Sequence, residues 1–257
     1  YRIGCLGWIS DTVVIAVLVA MFCLPLFVPI DNYGANDWDQ QLFYYGSFLK
    51  SVIDYNQIPF WNPWYCGGVV LLQHPQIPMF SFTYLLAPFT GLLLAVKLTI
   101  AIHYGLALLG MALLARKVYG LSNMFSILLA SACFVFASYF SLRVAVGHTF
   151  TLTVSYIPFI FLGYELYLSQ KRVGWLIFGG AVFALVIWSA GIYPAPLMAL
   201  FLSGYAVLRA IIEKDTDPLR ALILLGGYAV LFSAPKLIPV ADYMREYPRI
   251  AMDREYI

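Results

Sequence analysis

Charged residues are scarce in this 257-residue chain. Asp, Glu, Lys and Arg make up 11% of the sequence, whereas hydrophobic residues make up 62%. Soluble domains carry about 25% charged and about 45–50% apolar residues, and a chain of this length cannot bury so large an apolar excess in one core. The composition argues against a water-soluble domain and indicates an integral membrane protein whose outer solvent is lipid.

Clustered basic residues and metal-binding spacings are also missing. The formal net charge is only +2, and the basic residues are scattered, which argues against a nucleic-acid partner. The four cysteines and three histidines form no CxxC pair and no Cys/His spacing typical of zinc. We therefore expect neither nucleic-acid binding nor a zinc site.

Long apolar runs are what the sequence does contain. A membrane-spanning helix needs about 20 mostly apolar residues, and we predict an all-α membrane protein with about seven such helices. They cover 13–30, 97–117, 123–142, 150–169, 175–192, 195–212 and 219–240. The apolar segment 79–96 is interrupted by Pro88 and Gly91, so we expect it to lie along or dip into the membrane surface without crossing.

The basic residues predict an orientation. If the N-terminus is cytoplasmic and segment 79–96 does not cross, the basic pairs fall in inner loops, as the positive-inside rule requires. These residues are Arg116, Lys117, Lys171, Arg172, Arg209, Lys214 and Arg220. Residues 31–96 then form one long first loop on the outer face, with amphipathic and interfacial helices. Residues 1–257 are interpreted as a single transmembrane module.

Two carboxylates open this loop. Asp37 and Asp39 begin an amphipathic stretch that reaches Tyr55, with apolar residues at helical spacing. Asp37 and Gln40 fit a helix-capping box, which is the structural explanation of Asp37. The chemical explanations are a general base for an acceptor hydroxyl or a ligand of a divalent cation. Since residues two apart do not share a helix face, both carboxylates serve one site only if the helix starts between them.

Aromatic and amide residues follow in the same loop. Trp61 and Asn62 lie in a Pro- and Gly-rich turn, and His74 and Gln76 come shortly after it. Aromatic residues concentrate at the lipid–water interface, so anchoring is one explanation. Sugar binding is the other, because aromatic rings cover C–H surfaces while amides bind hydroxyls. We take these four residues as candidates for substrate binding.

These motifs together resemble the first outer loop of bacterial YfhO-like membrane proteins, a branch of the GT-C glycosyltransferase superfamily. The matching motifs of this loop are the aspartates, Pro59-Phe60-Trp61-Asn62-Pro63, Gly67-Gly68 and His74-Pro75-Gln76. Later motifs also fit: Gly147-His148, Gly191-Ile192-Tyr193 and Pro235-Lys236-Leu237-Ile238-Pro239. The resemblance implies a GT-C-like module in the bacterial inner membrane. It also implies a polyprenyl-phosphate sugar as donor, with Asp37, or else Asp39, as the catalytic base. The family's usual C-terminal portion is missing from this sequence.

Three further polar residues are expected near the same outer surface. Arg143, His148 and Lys236 can together hold a lipid phosphate, Arg through its planar fork and Lys as a point charge. The alternative is that these three side chains snorkel to the interface. Lys97, a fourth basic residue near this surface, is expected to snorkel in that way. Ionisable residues at membrane depth often mark function, so the first three are predicted to bind substrate.

Two ionisable residues inside predicted spans are expected to be structural. Glu165 lies near the inner end of its span, where Lys171 or Arg172 can pair with it. His103 is expected to be a packing residue whose ring nitrogens are hydrogen-bonded.

The leading functional hypothesis is a cell-envelope glycosyltransferase that transfers a sugar from a polyprenyl-phosphate donor to an acceptor on the outer face. No cofactor is certain, and a divalent cation is left open. The partners are membrane lipid and the lipid-linked sugar. One alternative is a non-catalytic subunit of a larger membrane complex. Another is a transporter or flippase of lipid-linked sugars, which predicts polar residues at the bilayer midplane and repeated halves.

Overall fold

The structure is a computed structural model that describes residues 5–28, 36–65, 67–191 and 193–247. Within these ranges the fold is helical apart from two paired strands, β1 (Trp61–Asn62) and β2 (Val69–Val70). The α-helices are α1 (Cys5–Cys23), α2 (Trp38–Ile53), α3 (Phe82–Thr90), α4 (Leu92–Lys117), α5 (Met124–Val135), α6 (Ser138–Ala145), α7 (Ile157–Gln170), α8 (Gly174–Trp188), α9 (Pro194–Glu213) and α10 (Asp217–Glu246). Two 3-10 segments cover Leu24–Phe27 and Thr149–Tyr156. The prediction of an all-α fold is confirmed.

Five helical segments are long and apolar enough to cross a membrane. They are Leu92–Lys117, Met124–Ala145, Thr149–Gln170, Pro194–Glu213 and Asp217–Glu246. Two further apolar helices, Val14–Phe27 and Gly174–Trp188, are shorter. At 1.5 Å per residue, α8 extends about 22 Å, less than the ~30 Å hydrocarbon core. The predicted end of the first span, at residues 29–31, lies outside the described residues.

The predicted break in segment 79–96 falls at Gly91. This residue has a φ of 77°, a backbone conformation that favours glycine, and its N–H caps α3 by donating to the Ala87 carbonyl. Pro88 lies inside α3 and does not end it. Helix α4 therefore begins at Leu92, five residues before the predicted start. Because α3 extends only about 13 Å, it is too short to cross a bilayer.

The helices pack around two main apolar clusters. In one, α4 provides Ile100 and Leu108 against residues of α1, α5 and α6. In the other, Leu176 of α8 meets Leu225 of α10 together with residues of α7 and α9. A Cβ at Gly180 would lie 2.5 Å from the Tyr228 Cβ. Glycine at this position therefore lets α8 and α10 approach closely, as small residues do between membrane helices.

The outward faces of these helices remain apolar. Phe125 on α5 and Phe201 on α9 are 72% and 73% exposed, and Ile223 on α10 is 71% exposed. A contiguous apolar exterior of this kind is unfavourable in water. Together with the five long apolar segments, it supports a membrane protein.

An ion-pair network closes the end of the bundle where α7 and α9 finish. Arg209 donates to Glu165 at 2.5 and 2.7 Å, and the Tyr205 hydroxyl donates to the same carboxylate at 2.7 Å. The predicted partner of Glu165 was therefore wrong, because Lys171 turns to Asp217 at 2.7 Å instead. Asp217 opens the next helix, so this pair joins the ends of α7 and α10.

Candidate functional site

At the opposite end of the bundle, the start of α2 meets the link between α6 and the second 3-10 segment. The Asp37 N–H donates to the Val146 carbonyl at 3.1 Å. The next residue, Gly147, has a φ of 83°, and a Cβ there would lie 2.6 Å from the Trp38 nitrogen. Glycine is required here both by its backbone conformation and by this contact. The close approach brings Asp37 beside His148, 111 residues later in the chain.

Asp37, His148 and Arg143 form a hydrogen-bonded network. The distance from His148 Nε2 to Asp37 Oδ2 is 3.0 Å, and that from Arg143 to His148 Nδ1 is 3.2 Å. A guanidinium can only donate, so Nδ1 must accept and the proton of a neutral His148 lies on Nε2, where it donates to Asp37. The network therefore fixes both the tautomer of the ring and the orientation of the carboxylate.

The predicted capping box is wrong, although the helix starts where it was expected. Asp37 occupies the N-cap position of α2 but makes no side-chain capping hydrogen bond. Gln40 instead donates to the Tyr44 hydroxyl at 2.8 Å. The carboxylate of Asp37 is thus turned away from the helix backbone and toward His148, and the structural explanation of this residue does not hold.

A polar cavity of about 330 Å³ opens over the network. We call it the polar cavity; its lining residues are Asp37, Gln40, Gln41, Gln76, Tyr139, Arg143, His148, Phe150 and Tyr193. The Asp37 side chain is 49% exposed, whereas that of His148 is 25% exposed. The carboxylate is therefore accessible to a ligand while the imidazole that orients it is partly covered. Phe150 supports the imidazole by stacking, with ring centroids 5.2 Å apart.

A larger apolar cavity adjoins the polar one. It has a volume of about 590 Å³ and shares Gln76 and Tyr193 with its neighbour. The other lining residues are His74, Pro75, Ile187, Gly191, Ala195, Pro196, Lys236, Leu237, Val240, Tyr243, Met244 and Tyr247. We call this the apolar cavity. The two shared residues place a compartment suited to a polar group next to one suited to hydrocarbon.

Lys236 connects the last helix to the first loop. Its side chain is 1% exposed, and Nζ donates to the carbonyls of Leu72, His74 and Ile77 at 2.7, 2.9 and 3.2 Å. An ammonium has three protons, so these three carbonyls satisfy it. Phosphate binding by Lys236, which the sequence predicts, would require the loop to give up these bonds.

His74 is oriented by its own loop. Its Nδ1 accepts a hydrogen bond from the Gln76 N–H at 3.2 Å, and its ring lies 5.7 Å from that of Tyr44. Burial, together with the nearby Lys236 ammonium, lowers the pKa of His74 from 6.5 to about 4. The ring is thus neutral at physiological pH, and it lines the apolar cavity beside Gln76.

The remaining predicted site residues lie elsewhere. Asp39 is exposed and does not line the polar cavity, so the two carboxylates do not serve one site even though α2 starts between them, at Trp38. Asn62 is fully buried and accepts from the Trp64 N–H at 3.0 Å. Trp61 is 52% exposed and lines a separate groove near the end of α2.

Several site residues were missed by sequence reasoning. Gln41 is buried and accepts from the Thr149 hydroxyl at 2.8 Å, and Thr149 in turn lies 3.4 Å from the Tyr45 hydroxyl. The spacing of Gln41 and Tyr45, four residues apart on one helix face, was the available signal.

Lys97 is 2% exposed and lines a third cavity of about 450 Å³, so the prediction that it snorkels to the interface was wrong.

The donor set bears on the divalent cation that the sequence left open. Among the described residues, no group of three or more His, Cys, Asp or Glu side chains comes together. The polar cavity offers one carboxylate, so a cation bound there would take its other ligands from amides, substrate and water.

Comparisons of this chain with protein-family models, with curated proteins and with solved structures find no match. The resemblance to the GT-C superfamily therefore stays a hypothesis.

Proposed function

We propose that this chain is a membrane glycosyltransferase that transfers a sugar from a polyprenyl-phosphate donor to an acceptor hydroxyl. The observation that carries the proposal is the Asp37–His148–Arg143 network at the polar cavity. It combines a half-exposed carboxylate, an imidazole that fixes its orientation, and a guanidinium suited to phosphate.

Asp37 is the general base in the proposed reaction. Its carboxylate accepts the proton of the acceptor hydroxyl as the hydroxyl oxygen attacks the anomeric carbon of the donor sugar. The bond from that carbon to the phosphate oxygen breaks, and its electron pair leaves with the phosphate. Arg143 stabilises the charge that develops on this leaving group. The products are a glycosylated acceptor and polyprenyl phosphate.

The adjoining cavities support a donor with a polar head and a hydrocarbon chain. The polar cavity contains the groups that bind sugar and phosphate, whereas the apolar cavity is bordered by Leu237, Val240 and Met244 of α10. Gln76 and Tyr193 lie at the junction. A lipid-linked sugar would occupy both compartments at once, which a water-soluble nucleotide sugar would not do.

The proposed topology has seven spans, with the Asp37 end of the bundle on the outer face of the bacterial inner membrane. The seven spans are the five long apolar segments, α1 extended by its 3-10 segment, and α8. Helix α3 does not cross the membrane in this topology. The basic residues support this orientation. They gather at the ends of α4, α7 and α9, away from Asp37: Arg116, Lys117, Lys171, Arg172, Arg209 and Lys214.

The test is an assay of purified protein with a panel of polyprenyl-phosphate sugars, in which the release of polyprenyl phosphate is measured by mass spectrometry. We expect Asp37→Asn to lower the rate at least about 100-fold, because a positioned base contributes about 10²–10⁴-fold. Asp39→Asn is the matched control and should keep the rate, since Asp39 does not line the cavity. If Asp37→Asn releases polyprenyl phosphate at the wild-type rate, Asp37 is not the general base.

Two other outcomes favour the alternatives. If the wild-type chain consumes none of the donors and co-purifies with another membrane protein, the non-catalytic subunit becomes the better explanation. If it moves a lipid-linked sugar across vesicle membranes without releasing polyprenyl phosphate, it is a flippase.

A further inference from the structure

An aromatic groove of about 710 Å³ lies beyond the C-terminal end of α2, apart from the polar and apolar cavities. It is lined by Ser51, Tyr55, Gln57, Ile58, Phe60, Trp61, Pro63 and Trp64. We call it the aromatic groove. No residue of this lining is shared with the polar or the apolar cavity, so the proposed reaction does not explain it.

The indole of Trp61 is held in one position within this groove. Trp61 pairs with Val70 in the β1–β2 ladder, and Gly68 lies against its ring. A Cβ at Gly68 would overlap the indole. The strand pairing and the glycine therefore fix the ring while half of the side chain stays exposed. A lipid-anchoring tryptophan needs only to reach the interface and does not need to be fixed in this way.

The rest of the groove combines aromatic faces with polar groups. Tyr55 and Trp64 contact each other with ring centroids 5.9 Å apart, and the Lys50 ammonium lies 5.3 Å from the Trp64 ring. Gln57 contributes an amide residue to the lining, whereas the hydroxyl of the buried Ser51 donates to the Ser47 carbonyl at 3.0 Å. None of the lining residues carries a formal charge, so the groove is suited to a neutral ligand.

We infer that the aromatic groove binds a neutral oligosaccharide. Pyranose rings present C–H groups that fit the electron-rich face of an indole, and their equatorial hydroxyls match the amide of Gln57. The concave shape also favours a ligand over a bilayer surface, because an anchoring side chain projects outward from the protein. The fixed, half-exposed Trp61 is the platform on which a sugar ring stacks.

The distance to Asp37 indicates what this oligosaccharide is. Asp37 and Ser51 lie near opposite ends of α2, and a rise of about 1.5 Å per residue over the fourteen steps between them places them about 21 Å apart. A ligand that reaches both sites is an extended glycan with its terminal hydroxyl at Asp37. The groove is then the binding site for the distal part of a polymeric acceptor. This assignment as acceptor rests on the proposed function, whereas sugar binding itself does not.

The experiment measures binding without any donor or transfer. Purified full-length chain in detergent is applied to an array of neutral oligosaccharides built from glucose, galactose, mannose and N-acetylglucosamine. We expect wild-type protein to bind at least one of them, and Trp61→Ala to weaken that binding about tenfold. Tyr119→Ala is the matched control, because Tyr119 is similarly exposed at 59% but lies outside the groove.

Two further variants make the test specific. Gly68→Ala should weaken binding as Trp61→Ala does, because it displaces the fixed indole without changing the groove's chemistry. Gly120→Ala, at another glycine with positive φ that lies outside the groove, should bind the oligosaccharide normally. Since no donor is supplied, loss of sugar binding is measured apart from loss of transfer. The inference is overturned if no neutral oligosaccharide binds, or if Trp61→Ala and Tyr119→Ala behave alike. It is also overturned if brominated lipids in nanodiscs quench Trp61 fluorescence, measured against Trp61→Phe, since the indole would then lie in lipid.

Discussion

A carboxylate belongs to a hydrogen-bonded network that contains an arginine at each end of the bundle, but the two carboxylates differ in their exposure. The Glu165 side chain is 8% exposed and receives hydrogen bonds from Arg209 and Tyr205. The Asp37 side chain is 49% exposed, is bonded by His148 and opens into the polar cavity. The carboxylate is thus buried among its hydrogen-bond partners at one end of the bundle and accessible to a ligand at the other. Burial and the number of partners, more than residue type, distinguish a structural carboxylate from a candidate catalytic one.

The largest effect on stability is expected at the Glu165 end. Glu165→Gln removes the buried one of the two carboxylates that pair with Arg209, and we expect this to cost about 3 kcal/mol, the low end for a buried pair. Glu213→Gln is the control, since that carboxylate is 40% exposed and also pairs with Arg209; an exposed pair contributes about 1 kcal/mol or less. Both are measured as free energies of unfolding in detergent. Equal losses would mean that burial does not decide how much a carboxylate of this network contributes to stability.

A middle-sized effect is expected where α2 meets the Gly147 link. Gly147→Ala adds backbone strain and a Cβ that overlaps Trp38, costing about 2 kcal/mol in all. Gly120→Ala is matched, because Gly120 has a φ of 66° but nothing within 4 Å of an added Cβ. It should cost only the strain, about 1 kcal/mol. If the Gly147 variant also transfers sugar more slowly at equal folded fraction, the position of Asp37 depends on this contact.

The smallest effect on stability is a pH dependence of the free energy of unfolding that arises from His74. Its pKa in the folded protein, about 4, lies below the ordinary 6.5, so the unfolded chain binds the additional proton between these values. Stability therefore falls as the pH drops below 6.5, by about 1 kcal/mol between pH 7 and about pH 5.5. His74→Gln should remove this part of the slope. A variant with the wild-type slope would show that another group is responsible.

Sequence patterns predicted the helices better than the site. Apolar runs set the positions of α9 and α10 to within a few residues, except that α10 continues beyond its predicted end at residue 240 to Glu246. Asp37, Arg143, His148 and Gln76 were singled out separately, and they line one cavity. The reason is that each lies near the same end of the predicted spans, which the topology alone brings together.

Other parts of the site depend on contacts that no local pattern carries. Asn62 is buried and pairs with Val69 in the β1–β2 ladder, and Trp61 faces a groove apart from Asp37. Lys236 meets carbonyls 159 to 164 residues earlier in the chain. Backbone carbonyls have no sequence signature, so a lysine that binds them cannot be distinguished from one that binds phosphate.

The bonds of Lys236 have a consequence for the order in which the protein is made. The carbonyls of Leu72, His74 and Ile77 emerge early in synthesis, whereas the ammonium that satisfies them comes with α10. Until that helix inserts, the loop that carries His74 and Gln76 lacks the hydrogen bonds from Lys236 that hold it in place. The wall between the two cavities is then incomplete. A nascent chain arrested after α9 would therefore contain Asp37, His148 and Arg143 but would lack the α10 residues that line the apolar cavity. The apolar cavity is complete only when α10 is in place.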